Sequence, residues 1–319
     1  VANISLEWRV FSRLLIIGFL LCSLCARNAI AASLQVTGAD IEVAFESSIA
    51  ANDQAKITVW LQRNSESLAL LYGRFPVNQL TINVVSNPSN QAVPFARVKR
   101  GRIDGLVFYV DPSYPLEDFF ADWKAPHEFA HLLIPYPGYD DIWLSEGLAS
   151  LYQNFLPVVS GTWTEQQAWQ GLVDGFNRGR RDNNQTQYSL SELAPLMHET
   201  SSFRRVYWSG AAFFLAAAKQ LQLAGTSLPQ TLEQFQRCCR QLRINWNGDK
   251  FVQRLDQFNK EQVFETLYTM WQQQHSIPQQ TELLAWYGVQ VRSQQVSLSY
   301  QMDHVERRLA LYRVDFPAF

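Results

Sequence analysis

Hydrophobic positions change period twice along the chain. Between Ile41 and Val110 short alternating runs dominate (IEVAF, LTINVVS, PFARVK and GLVFYV), set apart by the polar stretches NPSN and GRID. A period of two predicts strands. Among them, the segment Asp53 to Phe75 repeats its apolar residues every three or four positions, which predicts a helix. From Pro115 the helical period takes over. It runs through LEDFFADWKAPHEFAHLL, SEGLASLYQNFL, WTEQQAWQGLVDGF, YWSGAAFFLAAAKQLQL, LPQTLEQFQRCCRQL, GDKFVQRLDQF and KEQVFETLYTMW, and ends near Trp286. The tail returns to alternation in GVQVR, VSLSY and LALYRV, which predicts a small terminal sheet or hairpin. The expected class is α+β, a helix packed on a small sheet and then a mainly helical region. No fixed-period repeat or long Pro/Gly/Ser linker divides the chain, so one domain with a cleft is expected.

Composition narrows the function. A chain of 319 residues with 47% hydrophobic content buries a sizeable core. Its net charge of −2, without a long basic block, leaves no electrostatic footprint for nucleic acid or an anionic membrane. Arg9 and Arg13 precede an apolar run from Leu14 to Ala26, followed by Ala29-Ile30-Ala31. This is the pattern of a secretory signal peptide over residues 1–31. The run is shorter than the roughly 20 residues a spanning helix needs, so no stable membrane span is expected after cleavage; an uncleaved signal anchor is the alternative. The expected location is periplasmic or secreted. Cys22 and Cys25 would leave with the leader, and Cys238 and Cys239 are adjacent. Neighbouring Cα atoms lie about 3.8 Å apart, below the roughly 4.4 Å where disulfides begin, so two free thiols and no disulfide framework are expected.

The chain has five histidines, and two of them flank a glutamate in HEFAH, His127-Glu128 to His131. On a helix, positions i and i+4 share a face, so both imidazoles can meet one ion while Glu128 lies about 100° round. This is the HExxH arrangement of zinc peptidases. A catalytic zinc takes three protein ligands and keeps one position open. Glu146, in IWLSEGLASLYQ, is the third candidate. Pro135, Pro137 and Gly138 break the chain between the two helices, and Asp140 or Asp141 is placed to cap the second. Glu199 is the rival carboxylate. One Zn2+ per chain is expected.

HEFAH followed by WLSEGLASLY resembles the gluzincin metallopeptidases, especially the M1 aminopeptidase and M61 glycyl aminopeptidase families. The resemblance implies a thermolysin-like two-lobed core, with an α/β lobe over 32–135, a helical lobe over 136–285 and a short β tail over 286–319. It implies peptide hydrolysis by metal-activated water, with Glu128 as the general base. Tyr207, in RVYWSGAAFF, is similar to the Tyr-x-x-Gly of M1 enzymes and by that likeness stabilises the oxyanion, with Trp208-Ser209 where Glu-Lys is usual. His198 is the alternative donor. Gly101-Arg102-Ile103-Asp104-Gly105 resembles the Gly-x-Met-Glu-Asn motif, which makes Gly101 part of a substrate-pairing edge and Asp104 the acceptor of a free α-ammonium. GRIDG also reads as a plain turn. Arg204 or Arg205, beside Tyr207, and the cluster Arg178, Arg180 and Arg181 are candidates for a substrate carboxylate, although the cluster also reads as a solvated loop. Ser150, one turn beyond Glu146, is a candidate partner for a ligand histidine. The sequence therefore points to an exported zinc peptidase acting on peptides or proteins, an aminopeptidase if Asp104 reads the amine. The alternatives are an endopeptidase of the same fold and an inactive peptide-binding envelope protein.

Overall fold

A computed structural model describes residues 31–71, 73–101, 103–182, 185–242 and 244–313. The expected leader lies outside them except for Ala31, which opens the first strand. Five strands, β1 (Ala31–Val36), β2 (Ala39–Phe45), β3 (Gln79–Ser86), β4 (Phe95–Lys99) and β5 (Asp104–Val110), form one sheet in the order β1-β2-β3-β5-β4. The pairs β2/β3 and β3/β5 are parallel, and both edge strands are antiparallel to their neighbours. A parallel pair needs a crossover, and α1 (Ala51–Leu70) supplies it between β2 and β3. Strand β1 is the one the periodicity missed, because its small residues read as the flank of a leader.

Trp60 of α1 fixes the helix to the sheet. Its ring meets Phe108 of β5 at 5.1 Å and Phe119 at 5.2 Å between centroids, and all three are fully buried. Phe119 belongs to α2 (Leu116–Ala121), which is followed by α3 (Lys124–Ala130) and a 3-10 turn over His131–Leu133. The single helix expected over this stretch breaks at Asp122, whose carboxylate accepts the Lys124 N–H at 2.8 Å. After the Pro135 loop, where Gly138 takes φ +88°, comes α4 (Ile142–Val159), buried over most of its length. It is the central helix of the molecule.

Helix α5 (Glu165–Arg181) opens on a reciprocal cap between Thr164 and Gln167. It runs through Arg178, Arg180 and Arg181, so these close a helix and do not form the expected loop. Short helices α6 (Leu190–Leu193) and α7 (Met197–Thr200) lead into α8 (Phe203–Leu223). Then follow α9 (Leu228–Cys238), α10 (Gly248–Asp256), α11 (Val263–Gln272), α12 (Thr281–Trp286), the hairpin β6 (Val289–Arg292) and β7 (Gln295–Leu298), and α13 (Met302–Leu309). Within the expected β tail over 286–319, the described residues up to 313 form a hairpin and a helix. In LALYRV, alternation misled because it spans the end of α13, where fully buried Arg308 reaches Glu165 at 3.0 Å and the Tyr312 hydroxyl donates to the same carboxylate at 3.1 Å. Cys238 and Cys239 are joined in a disulfide, which corrects the free-thiol expectation. Cys239 has left helical geometry at φ −135°, and there the adjacent sulfurs meet.

Helices α4 and α8 cross through their backbones. A Cβ on Gly147 would collide with the main chain of Gly210, and one on Gly210 with the carbonyl of Trp143. Gly210→Ala gains about 1 kcal/mol of helix propensity, but overpacking against backbone costs about 1–3 kcal/mol or more. The variant is therefore expected to unfold at lower temperature and denaturant concentration than the parent; an equal or higher midpoint would show that the helices separate freely.

Candidate metal centre

The HEFAH segment has two working faces. Phe129 turns into the core against Phe108 (6.1 Å) and Phe75 (6.5 Å), which leaves His127 and His131 together on the other side. Glu146, in the second turn of α4, meets them. Its Oε2 lies 3.3 Å from His127 Nε2 and 3.6 Å from His131 Nε2. Ligands held about 2.0–2.1 Å from a tetrahedral zinc stand about 3.3 Å apart, so the spacing fits the ion. Among the described residues, these three are the group able to hold a metal.

The remaining ring nitrogens are fixed from α4. His127 Nδ1 lies 2.8 Å from Gln153 Oε1, and His131 Nδ1 lies 3.1 Å from Ser145 Oγ. With Gln153 accepting, His127 Nδ1 carries a proton and Nε2 faces Glu146; burial acts to lower His127, but the hydrogen bond and charge of Glu146 raise it above its ordinary value. Two ring nitrogens and a carboxylate oxygen therefore converge on one buried point, which suits a divalent cation in place of the Nε2 proton. Burial pushes His131 down to about 3, against the attraction of Glu146, so its imidazole stays neutral. Burial also acts to raise Glu146, but the two histidines and a hydrogen bond from Tyr207 outweigh it and hold the carboxyl below its ordinary value. Gln153 and Ser145 take the place expected of Ser150, which instead lines the neighbouring cavity. Gln153 stands seven residues after Glu146, two turns along the same face, and that spacing was its only signal in the sequence.

Glu128 is pushed up to about 7, mainly by burial and further by Glu146, while His127, the Val98 N–H and Arg100 pull it down. Val98 belongs to edge strand β4, so the edge beside this carboxylate is Phe95–Lys99. Across the site, the Tyr207 ring stacks on His127 at 5.9 Å and its hydroxyl donates to Glu146. Burial and the nearby carboxylates raise Tyr207 well above its usual range, so the phenol stays protonated. Trp123 meets His127 edge-on at 5.5 Å. His198 is exposed, packs against Phe203, and is not in the cluster; Glu199 is absent from it as well.

Asp104 does something other than what the motif implied. It accepts from Arg240 at 2.8 Å and lies 3.5 Å from Arg100. Arg100 also donates to the His131 carbonyl at 2.6 Å, and Arg240 to the Leu132 carbonyl at 2.8 Å. Two guanidiniums thus cap the C-terminal end of the HExxH segment, where the helix dipole is negative, and Asp104 joins them. Both arginines meet the same oxygen, Oδ2, so Asp104 has a structural role at this joint. Gly101 and Asp104 line a separate cavity of about 670 Å³ that none of the three ligand residues lines. Arg204 does lie near the site, on a cavity shared with Tyr207. Arg205 is buried and donates to the carbonyls of Gln185 and Tyr188, both at 2.6 Å, which removes it as a substrate ligand.

Two stability measurements test this arrangement. In metal-free protein, the raised Glu128 favours the protonated folded state. Its contribution is full below the ordinary value of 4.5 and is lost as pH rises through about 7. Glu128→Gln should therefore be more stable than the parent at pH 8, with the advantage gone by pH 4; a constant difference would remove the burial argument. Asp104→Asn leaves two guanidiniums without their carboxylate, and about 3 kcal/mol of unfolding free energy should be lost. Unchanged stability would return Asp104 to the role of an open acceptor.

No protein-family model and no curated protein matches the sequence. Solved structures do match the fold. An aminopeptidase N family protein from Idiomarina loihiensis is similar at TM-score 0.64 and 18% identity, over 82% of this chain and 49% of that one. An M1 zinc metallopeptidase from Deinococcus radiodurans is similar at TM-score 0.51 and 15% identity, over 78% of this chain and 52% of that one. A two-domain M1 zinc metallopeptidase variant bound to L-arginine gives TM-score 0.51 at 15% identity, over 79% and 52% of the two chains. The chain thus spans about half the length of the structures it matches. Its sheet and helical region share the fold of that part of the M1 metallopeptidases.

Proposed function

We propose that this chain is a zinc-dependent peptidase, exported by the leader-like segment ahead of its sheet. The observation that carries the reading is the convergence of His127, His131 and Glu146 on one point, with Glu128 and the Tyr207 hydroxyl beside it. The likeness to M1 metallopeptidases supports the reading through the fold. Zinc held there supplies Lewis acidity and lowers the pKa of water toward about 7.

The chain's own residues do the rest. Glu128, held in a dry setting, takes the proton of the attacking water and passes it to the leaving amine. Tyr207 stays protonated and donates to the oxyanion that develops on the scissile carbonyl. Gln153 and Ser145 hold the ligand rings in one orientation through the reaction. Strand β4 is the sheet edge beside Glu128, where the Val98 N–H meets the carboxylate, and its remaining main-chain groups suit an extended substrate backbone. Asp104 has no part in this reading, so selection for a free amine does not follow from it.

Zinc analysis and peptide hydrolysis together test the proposal. About one zinc per chain is expected, and His131→Ala should remove it. Glu128→Gln should keep the metal and lose about 10²–10⁴ in turnover. Tyr207→Phe should keep the metal too and lose about 10²–10³. Full activity after chelation, or an active Glu128→Gln, would overturn the assignment.

A further inference from the structure

A cavity of about 460 Å³ adjoins the metal centre on the helical side. It begins at Tyr207, Gln153 and Trp123, the groups that contact the His127 ring, and extends between α5 and α8. Its walls are aromatic, with Trp163, Phe203 and Trp208 beyond the first three residues. The glycine spacing of α5 makes room for them: a Cβ on Gly175 would run into the indole of Trp208.

Arg178 and Arg204 line the same cavity, and no carboxylate does. The Arg178 guanidinium lies 5.4 Å from the Trp208 ring centroid and is half-buried. Burial, and then the charges of Arg204 and Arg181, pull Arg178 below its ordinary value in spite of Asp174. Arg204 is exposed at the cavity mouth and Arg178 is half-buried with Asp174 one turn before it, and with no anion among the lining residues the two guanidiniums can receive a carboxylate from outside. Arg205 shows the contrast, since it is buried and its guanidinium donates to the carbonyls of Gln185 and Tyr188.

The geometry points to this cavity as a substrate subsite that takes an aromatic or large apolar side chain next to the scissile bond, with Arg178 and Arg204 binding a carboxylate beside it. The inference rests on the peptidase reading and adds a substrate class to it. The carboxylate comes from one of two sources, a free peptide C-terminus or an acidic side chain following the aromatic residue. A volume of this size holds an aromatic side chain and backbone beyond it.

Zinc-loaded enzyme is assayed on Ala-Ala-Phe, Ala-Ala-Phe-amide and Ala-Ala-Phe-Asp-amide, and binding of the same peptides to Glu128→Gln is followed by tryptophan fluorescence. The free acid should exceed the amide by about 10- to 100-fold in kcat/KM, the range of one charge-assisted bond. The double variant Arg178→Met/Arg204→Met should bring the acid down to the amide. The aspartyl peptide assigns the source: a rate near the acid admits a side-chain carboxylate, and a rate near the amide restricts the subsite to a free C-terminus. Gly175→Ala, which drives Trp208 into the cavity, should raise KM for Ala-Ala-Phe more than for Ala-Ala-Ala. Cleavage that ignores both the carboxylate and the aromatic ring overturns the subsite and leaves the peptidase standing. If no peptide is cleaved, the peptidase reading falls; carboxylate-selective binding would still uphold the subsite, and indifferent binding would remove it.

Discussion

Helices α4 and α8 touch through their main chains at Gly147 and Gly210, and the position of the whole site follows from that contact. Glu146 is the residue before one glycine, and Tyr207 lies one turn before the other. Helices normally pack about 8–10 Å apart, set by the side chains between them. With no side chain at the crossing, the carboxylate of one helix comes within hydrogen-bond reach of the phenol of the other. A bulkier residue at either glycine would move Glu146 and Tyr207 apart together. Trp143 locks the same crossing from the side, packed against Phe213 at 5.2 Å and Tyr268 at 5.7 Å.

The histidines depend on a second anchor. Phe129 fixes the HExxH helix to the sheet, and Arg100 and Arg240 hold the carbonyls at its end. Asp104 lies between these arginines and keeps both in place. Asp141 plays a comparable part on α4: it stands at the position of a helix cap, yet its carboxylate accepts from the Gly248 N–H at 2.7 Å and the Tyr268 hydroxyl at 2.6 Å. In both places a carboxylate that reads locally as turn or cap chemistry serves a long-range joint. The end of the HEFAH helix and the start of α4, between which the ligands lie, are thereby both fixed by distant partners.

This difference in range separates what was legible in the sequence from what was not. His127, Glu128, His131 and Glu146 follow helical spacing within two neighbouring helices, and periodicity is enough to bring their side chains to one side. The sheet from β2 to β5 was legible for the same reason, with a period of two. The joint that Asp104 makes was not legible because Arg240, its nearest partner, is 136 residues away and no local pattern announces it. In the tail, Arg308 and Tyr312 read as polar and apolar alternation, whereas the cause of their burial is Glu165, far upstream.

The two sides of the site are chemically unlike, and this asymmetry bears on how a substrate would lie. Beside Glu128 stands β4, a sheet edge of main-chain donors and acceptors that on the proposed function would pair with substrate backbone without regard to side chain. Beside Tyr207 stands an aromatic cavity bordered by two guanidiniums, which on the proposed subsite would respond to side chain and charge. On the proposed function, general affinity would come from the sheet and selectivity from the helices. The base and the oxyanion donor would sit where the two meet. Burial at that junction raises Glu128 toward neutrality and keeps Tyr207 protonated. On the proposed function, this partly buried junction would set the base and the oxyanion donor in the states that hydrolysis near neutral pH requires.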